Sequence, residues 1–243
     1  MTSRSDTDEA AERLVSEIAL SAFRANITVA QRIDGERSGD MAVKHHPGGG
    51  HRHGWLMHPR SRADIEFNGG WPANGLEAGK FFPATQLGLH DPDAPSDPPN
   101  GPKPVPPDGK IASGGSEPAA VKLDEVRDWP TVDLKSGADT PFQWNYSMKH
   151  RTRRYNYFVT KESWNPKAPL SRAQFESKPF ATYKPHGDIP YWEMPDAATD
   201  PALTKPHTIR LPKRSGYHVI LGVWEVADTG HAFYQVIDVN FTQ

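Results

Sequence analysis

The 243-residue sequence contains no cysteine, which excludes a disulfide framework and any metal centre held by thiolates. Long apolar runs are also missing. No stretch approaches the roughly 20 apolar residues that a membrane-spanning helix requires, so no membrane partner is expected. Charge of one sign is absent as well: 28 Lys and Arg stand against 30 Asp and Glu, for a formal charge of −2. A balance this even provides no global attraction to nucleic acid or to anionic lipid. The one basic run, Lys149 to Arg154 (KHRTRR), reads as a solvated strand end rather than a phosphate grip.

Proline and glycine are abundant, and their placement divides the chain. Residues 34 to 52 (DGERSGDMAVKHHPGGGHR) are polar, Gly-rich and without period, which predicts a linker and a domain boundary after residue 52. Upstream, Leu14, Val15, Ile18, Ala22 and Phe23 fall at helical spacing behind an Asp6–Glu9 capping pair, predicting one amphipathic helix within 6 to 25. Its apolar positions are interrupted by Glu12, Arg13, Ser16 and Glu17, so it is no ordinary secretory h-region. Residues 1 to 52 are thus expected to form a leader, and 53 to 243 the folded domain. The stretch 90 to 109 carries eight prolines and predicts a long exposed loop.

From Pro141 the pattern turns to strands. Phe142, Trp144, Tyr146 and Met148 alternate with Gln143, Asn145, Ser147 and Lys149, a period of two that predicts a half-buried strand with His150 next on its inner side. Further runs at Tyr155 to Val159, His218 to Val226 and Ala232 to Phe241 are bounded by turn residues, and no βαβ alternation intervenes. The expectation is an all-β fold, an antiparallel β-sandwich with loop or helix insertions between 64 and 110.

Singly, the candidate chemical groups are bland. Linker histidines His45, His46 and His51 read as solvated polar residues, a strand-end His150 as a surface hydrogen-bonder, and the C-terminal run as buried strand. Taken in order, the segments HGWLMHPRSRA (53–63), GLEAGKFFP (75–83), GKIASGG (109–115), FQWNYSMKHRTRRYNYFVTK (142–161), WNPKAPLSRAQFESKPF (164–180) and LPKRSGYHVILGVWEVADTGHAFYQVIDVNF (211–241) resemble the bacterial lytic polysaccharide monooxygenases of the chitin-binding type-4 class, auxiliary activity family ten.

That resemblance implies a distorted fibronectin- or immunoglobulin-like sandwich and one copper ion. The metal would be held by the α-amine and ring of a first histidine, His53, and by the ring of a second, His150. It further implies Phe233 at the axial side, Glu77 as a nearby carboxylate acting in acid/base chemistry, and Trp71, Asp228 and His231 on a flat substrate-binding face. Three nitrogen donors suit copper, and an indole offers a flat apolar face to a sugar ring. Chitin, or a related insoluble polysaccharide, and an external electron donor are the expected partners, with a monomer acting outside the cell. The sequence departs from the pattern at Met148, where the family commonly has a small Ala.

One ligand is compromised. His53 follows Arg52, and a peptide nitrogen has its lone pair drawn into the carbonyl, whereas an α-amine loses its proton readily to a metal. Three readings stay open: proteolytic removal of the leader, a later translation start, or a retained leader on a non-catalytic glycan-binding adhesin. A metal-carrying interaction protein whose N-terminal helix docks a partner is a further alternative.

Overall fold

A computed structural model describes residues 53–84, 104–115, 117–190, 193–227 and 229–243. The expected leader helix and linker, and most of the proline-rich loop, lie outside the described residues. The elements in order are β1 (Gly54–His58), α1 (Arg62–Phe67), β2 (Glu77–Gly79), β3 (Val132–Lys135), β4 (Asp139–Tyr146), β5 (Thr152–Val159), β6 (Ala181–Tyr183), β7 (His207–Arg210), β8 (Gly216–Val226) and β9 (His231–Thr242), with short 3-10 turns between them. Among the described residues no helix is long and apolar enough to cross a membrane.

Two sheets form the expected immunoglobulin-like sandwich. One has the order β1-β4-β7; the other has β2-β9-β8-β5-β6, with β3 joining β9 in parallel. Strand β4 shows why alternation specifies a sheet face. Thr140, Phe142 and Trp144 are buried while Asp139, Pro141 and Asn145 are exposed, because successive side chains on a strand point to opposite faces. Phe142 and Trp144 meet Tyr155, Tyr157, Ile220, Trp224, Phe233 and Ile237 between the sheets.

Strands β8 and β9 are buried on both faces. Ile220, Trp224 and Val226 point into the inter-sheet core, whereas Val219, Leu221 and Val223 point outward into a second apolar cluster with Leu76, Ile111, Leu123 and Trp129. That double burial explains why these strands read as largely apolar runs with only scattered polar residues. The outer layer is supplied by α1, the 3-10 segment Pro118–Asp124 and the loop around Ile111. Of the insertions expected between 64 and 110, α1 is therefore the α-helical part; its N-cap Ser61 accepts from the Asp64 amide, satisfying one of the open donors of the first turn.

The basic run departs from expectation. Arg153 and Arg154 are not a solvated strand end: both pair with Glu225, at 2.9 and 2.7 Å, and Glu225 is wholly buried. Arg154 stands opposite Glu225 in the β5–β8 register, so the two cations neutralise an acid that burial would otherwise make costly.

Candidate functional site

Strand directions bring one end of the sandwich together. The start of β1, the end of β4, the start of β5, the end of β8 and the start of β9 all meet there, as the β1–β4, β5–β8 and β8–β9 registers require. His53 immediately precedes β1. Its carbonyl accepts from the Ser147 and Met148 amides at 2.9 and 3.4 Å and from Ser147 Oγ at 3.2 Å, which fastens it to the chain leaving β4 94 residues later. These bonds also correct the expected position of His150. Strand β4 stops at Tyr146, and residues 147–150 bend around His53, so His150 lies in the β4–β5 connection. It is nevertheless only 8% exposed.

The two imidazoles converge on Phe233. The His53 ring meets it edge-on at 5.4 Å between centroids, and the His150 ring lies tilted at 5.9 Å. Trp224, unremarked in the sequence, supports the arrangement from below. It stacks on Phe233 at 4.9 Å, takes the His150 ring at 5.9 Å and donates Nε1–H to Thr152 Oγ1 at 2.8 Å. Gly54 makes room for it: a Cβ there would sit 2.7 Å from Tyr146, 2.8 Å from the Asn145 carbonyl and 3.0 Å from Trp224. No sequence signal separates Trp224 from ordinary core, since its run LGVWEV is apolar apart from Glu225.

Trp71 sits beside this group and remains 56% exposed. Its ring meets His53 edge-on at 5.7 Å and lies so close on the turn Ala73–Gly75 that a Cβ at Gly75 would approach within 2.4 Å. The turn is pinned in turn by buried Gln235, which donates to the Ala73 carbonyl and accepts from Ser61 Oγ. An exposed indole held this way presents a rigid apolar plane.

Glu77 opens β2 directly opposite Phe233, and its carboxylate is hydrogen-bonded to His231 Nδ1. The resemblance set His231 on the open face; the structure buries it, 7% exposed, with its ring turned to Glu77. Asp228 lies outside the described residues. Met148 is half-buried beside the His53 carbonyl. The structure thus brings together His53, His150, Phe233, Trp71, Glu77 and His231.

Among the described residues no group of three or more His, Asp or Glu is arranged to hold a metal. A metal at Phe233 therefore depends on the two imidazoles and on a third donor from outside the side chains. Two imidazoles beside the apolar Phe233 are donors of a kind that suits copper.

Comparison with known proteins identifies the family. A family model described as lytic polysaccharide mono-oxygenase, cellulose-degrading, matches residues 53–239. A chitin binding domain from Burkholderia pseudomallei is 43% identical, with a TM-score of 0.65 over 79% of this chain and 100% of that one. A Bacillus amyloliquefaciens protein solved with Cu(I) is 31% identical, with a TM-score of 0.55 over 78% of this chain and 100% of that one. GlcNAc-binding protein A of Vibrio campbellii is 35% identical over 63% of this chain, but this chain spans only 29% of its length. The match over most of the chain, with both imidazoles and Phe233 inside it, makes this chain a member of the lytic polysaccharide monooxygenase family.

Proposed function

We propose that the domain from His53 onward binds a crystalline β-linked glycan, chitin foremost, and cleaves it oxidatively with one copper ion. The observation that carries this reading is the convergence of the His53 and His150 rings on Phe233 beside an exposed, rigid Trp71. Chitin is favoured because the Burkholderia neighbour is described by chitin and the Vibrio relative by GlcNAc; the family description also names cellulose.

His53 and His150 would hold the ion through their rings, and the α-nitrogen of His53 would complete the set once the Arg52–His53 bond is cut. Copper held there supplies reductive activation of O2 or peroxide against a sugar C–H bond next to the glycosidic link. Phe233 keeps the floor of the site apolar and offers no competing ligand. Trp71 packs against a pyranose face and orients the polymer. Glu77, which leads into the same space from β2, holds or releases a proton at its carboxylate.

The test compares a chain beginning at His53 with the full 243-residue chain, each given copper, ascorbate and β-chitin. Oxidised chito-oligosaccharides are expected from the first, and far fewer from the second, because an amide nitrogen is a poor donor. Retained chitin binding without oxidised products from either form would support the second reading, a non-catalytic glycan adhesin. That alternative draws on the Vibrio relative, named for binding rather than cleavage.

A further inference from the structure

The register that sets Glu77 opposite Phe233 also sets Gly79 opposite His231. Residues two apart on a strand share a face, so Glu77 and Gly79 face the same side as Phe233 and His231. Gly79 contributes no side chain. The imidazole of His231 therefore has the diagonal neighbour Glu77 as its cross-strand partner, within the reach that diagonal pairs allow. The backbone amide of His231 is itself fixed by Thr229 Oγ1 at 3.2 Å, and β2 is held to β9 by Tyr234, whose hydroxyl donates to the Gly79 carbonyl at 2.6 Å.

From this juxtaposition we infer that His231 is a positioning residue for Glu77, holding its carboxylate through an Nδ1–H hydrogen bond; the inference rests on the acid/base reading of Glu77 given above. An ionised carboxylate only accepts, so Nδ1 carries the proton. Nε2 is buried and, among the described residues, has no hydrogen-bond partner. A proton on Nε2 would be a buried donor with no acceptor among the described residues. The Nδ1–H tautomer is the arrangement that makes this bond and leaves no buried donor unpaired. Glu77 hangs on a stem with three rotatable bonds, and an acid/base group works only within hydrogen-bond reach of its target. A buried imidazole locked in a strand removes that freedom.

A role in contacting polymer does not suit the same residue, because its ring is enclosed and turned inward. The two roles separate in kinetics. Loss of a positioning contact lowers kcat, whereas loss of a substrate contact raises KM.

The experiment has two arms. In the metal-free full chain with 15N-labelled histidine, long-range 1H–15N spectra at neutral pH are expected to show His231 as the Nδ1–H tautomer, with its signals displaced by Glu77→Leu. An Nε2–H tautomer, or signals indifferent to Glu77→Leu, overturns the inference. In the copper-loaded chain beginning at His53, His231→Ala is expected to lower kcat on β-chitin about 10–100-fold, the usual cost of an outer-shell partner, with KM unchanged. His231→Asn, whose amide nitrogen can donate from nearly the Nδ1 position, should restore most of it. Equal loss in the Ala and Asn variants, or a raised KM with kcat intact, also overturns it. If the wild-type chain oxidises no glycan, the acid/base reading fails, and the spectra still decide whether the hydrogen bond exists.

Discussion

Two of the histidine–aromatic clusters among the described residues differ in enclosure: one is sealed in the sandwich, and the other lies beside an exposed ring. In the first, His207 on β7 stacks on Tyr183 at 3.9 Å, lies 4.3 Å from Tyr155 and bonds through Nδ1 to the Tyr157 hydroxyl at 2.8 Å. It is closed on all sides, and burial pushes its imidazole down to about 3. In the second, His53 and His150 flank Phe233 at the rim, beside exposed Trp71. Composition does not distinguish the two, since both are histidine among aromatics. What differs is enclosure. Three tyrosines use up the space around one imidazole and leave it neutral and structural, while the strand ends at the rim aim two imidazoles at a shared volume beside an exposed ring.

The largest effect that would break this comparison is loss of a rim imidazole. His150→Ala should lower copper affinity by well beyond the roughly 10–100-fold cost of an outer-shell partner, as read by isothermal titration on a chain beginning at His53. Its thermal midpoint should stay near that of the parent, because His150 lies in a connection and not in the inter-sheet core. A variant that unfolds, or that binds copper as before, would make the rim cluster structural like the first.

Next in size is Gly54→Ala. The added methyl would press on Tyr146, the Asn145 carbonyl and Trp224 at 3.0 Å or less, and overpacking of this kind costs about 1–3 kcal/mol. Because Gly54 directly follows His53 in the chain, chemical denaturation and the copper titration should both register the change. Trp71→Ala should act on binding alone. Weakening of chitin binding by about 1–3 kcal/mol, borrowing the scale of aromatic stacking on flat rings, is expected with an unaltered copper spectrum. A changed spectrum would mean that Trp71 supports the His53 ring more than it serves the polymer.

Legibility in the sequence follows the same division between interior and rim. Strand β4 was readable because one of its faces is buried and the other wet, and β8 and β9 were readable as apolar runs because an outer layer covers them. Strands β2, β3 and β6, three or four residues each, are too short to display a period. His53, His150, Phe233 and Glu77 were locatable through resemblance to a family, not through spacing, since 97 residues separate the two histidines in the chain. The burial of His231 and the support by Trp224 depend on pairing between distant strands, which residue order does not encode locally. The Arg153–Glu225 and Arg154–Glu225 pairs are hidden in the sequence for that reason too: a basic run looks solvated until its partner strand is known.

The smallest effect concerns the closed cluster and appears only in acid. The ordinary histidine value is 6.5, and the folded value of His207 is lowered to about 3 by burial. Between those two values the unfolded chain takes up a proton that the folded chain does not, so acidification favours unfolding there. Above 6.5 both states are neutral, and the residue contributes no pH dependence. Stability should therefore fall as pH drops from about 6.5 toward about 3, and His207→Phe, which keeps a ring on Tyr183 without the titrating nitrogen, should give a shallower slope. Urea midpoints measured across that range decide it. Parallel slopes for the two chains would mean that His207 is protonated in the fold, and the contrast between a sealed and an open imidazole cluster would lose its physical basis.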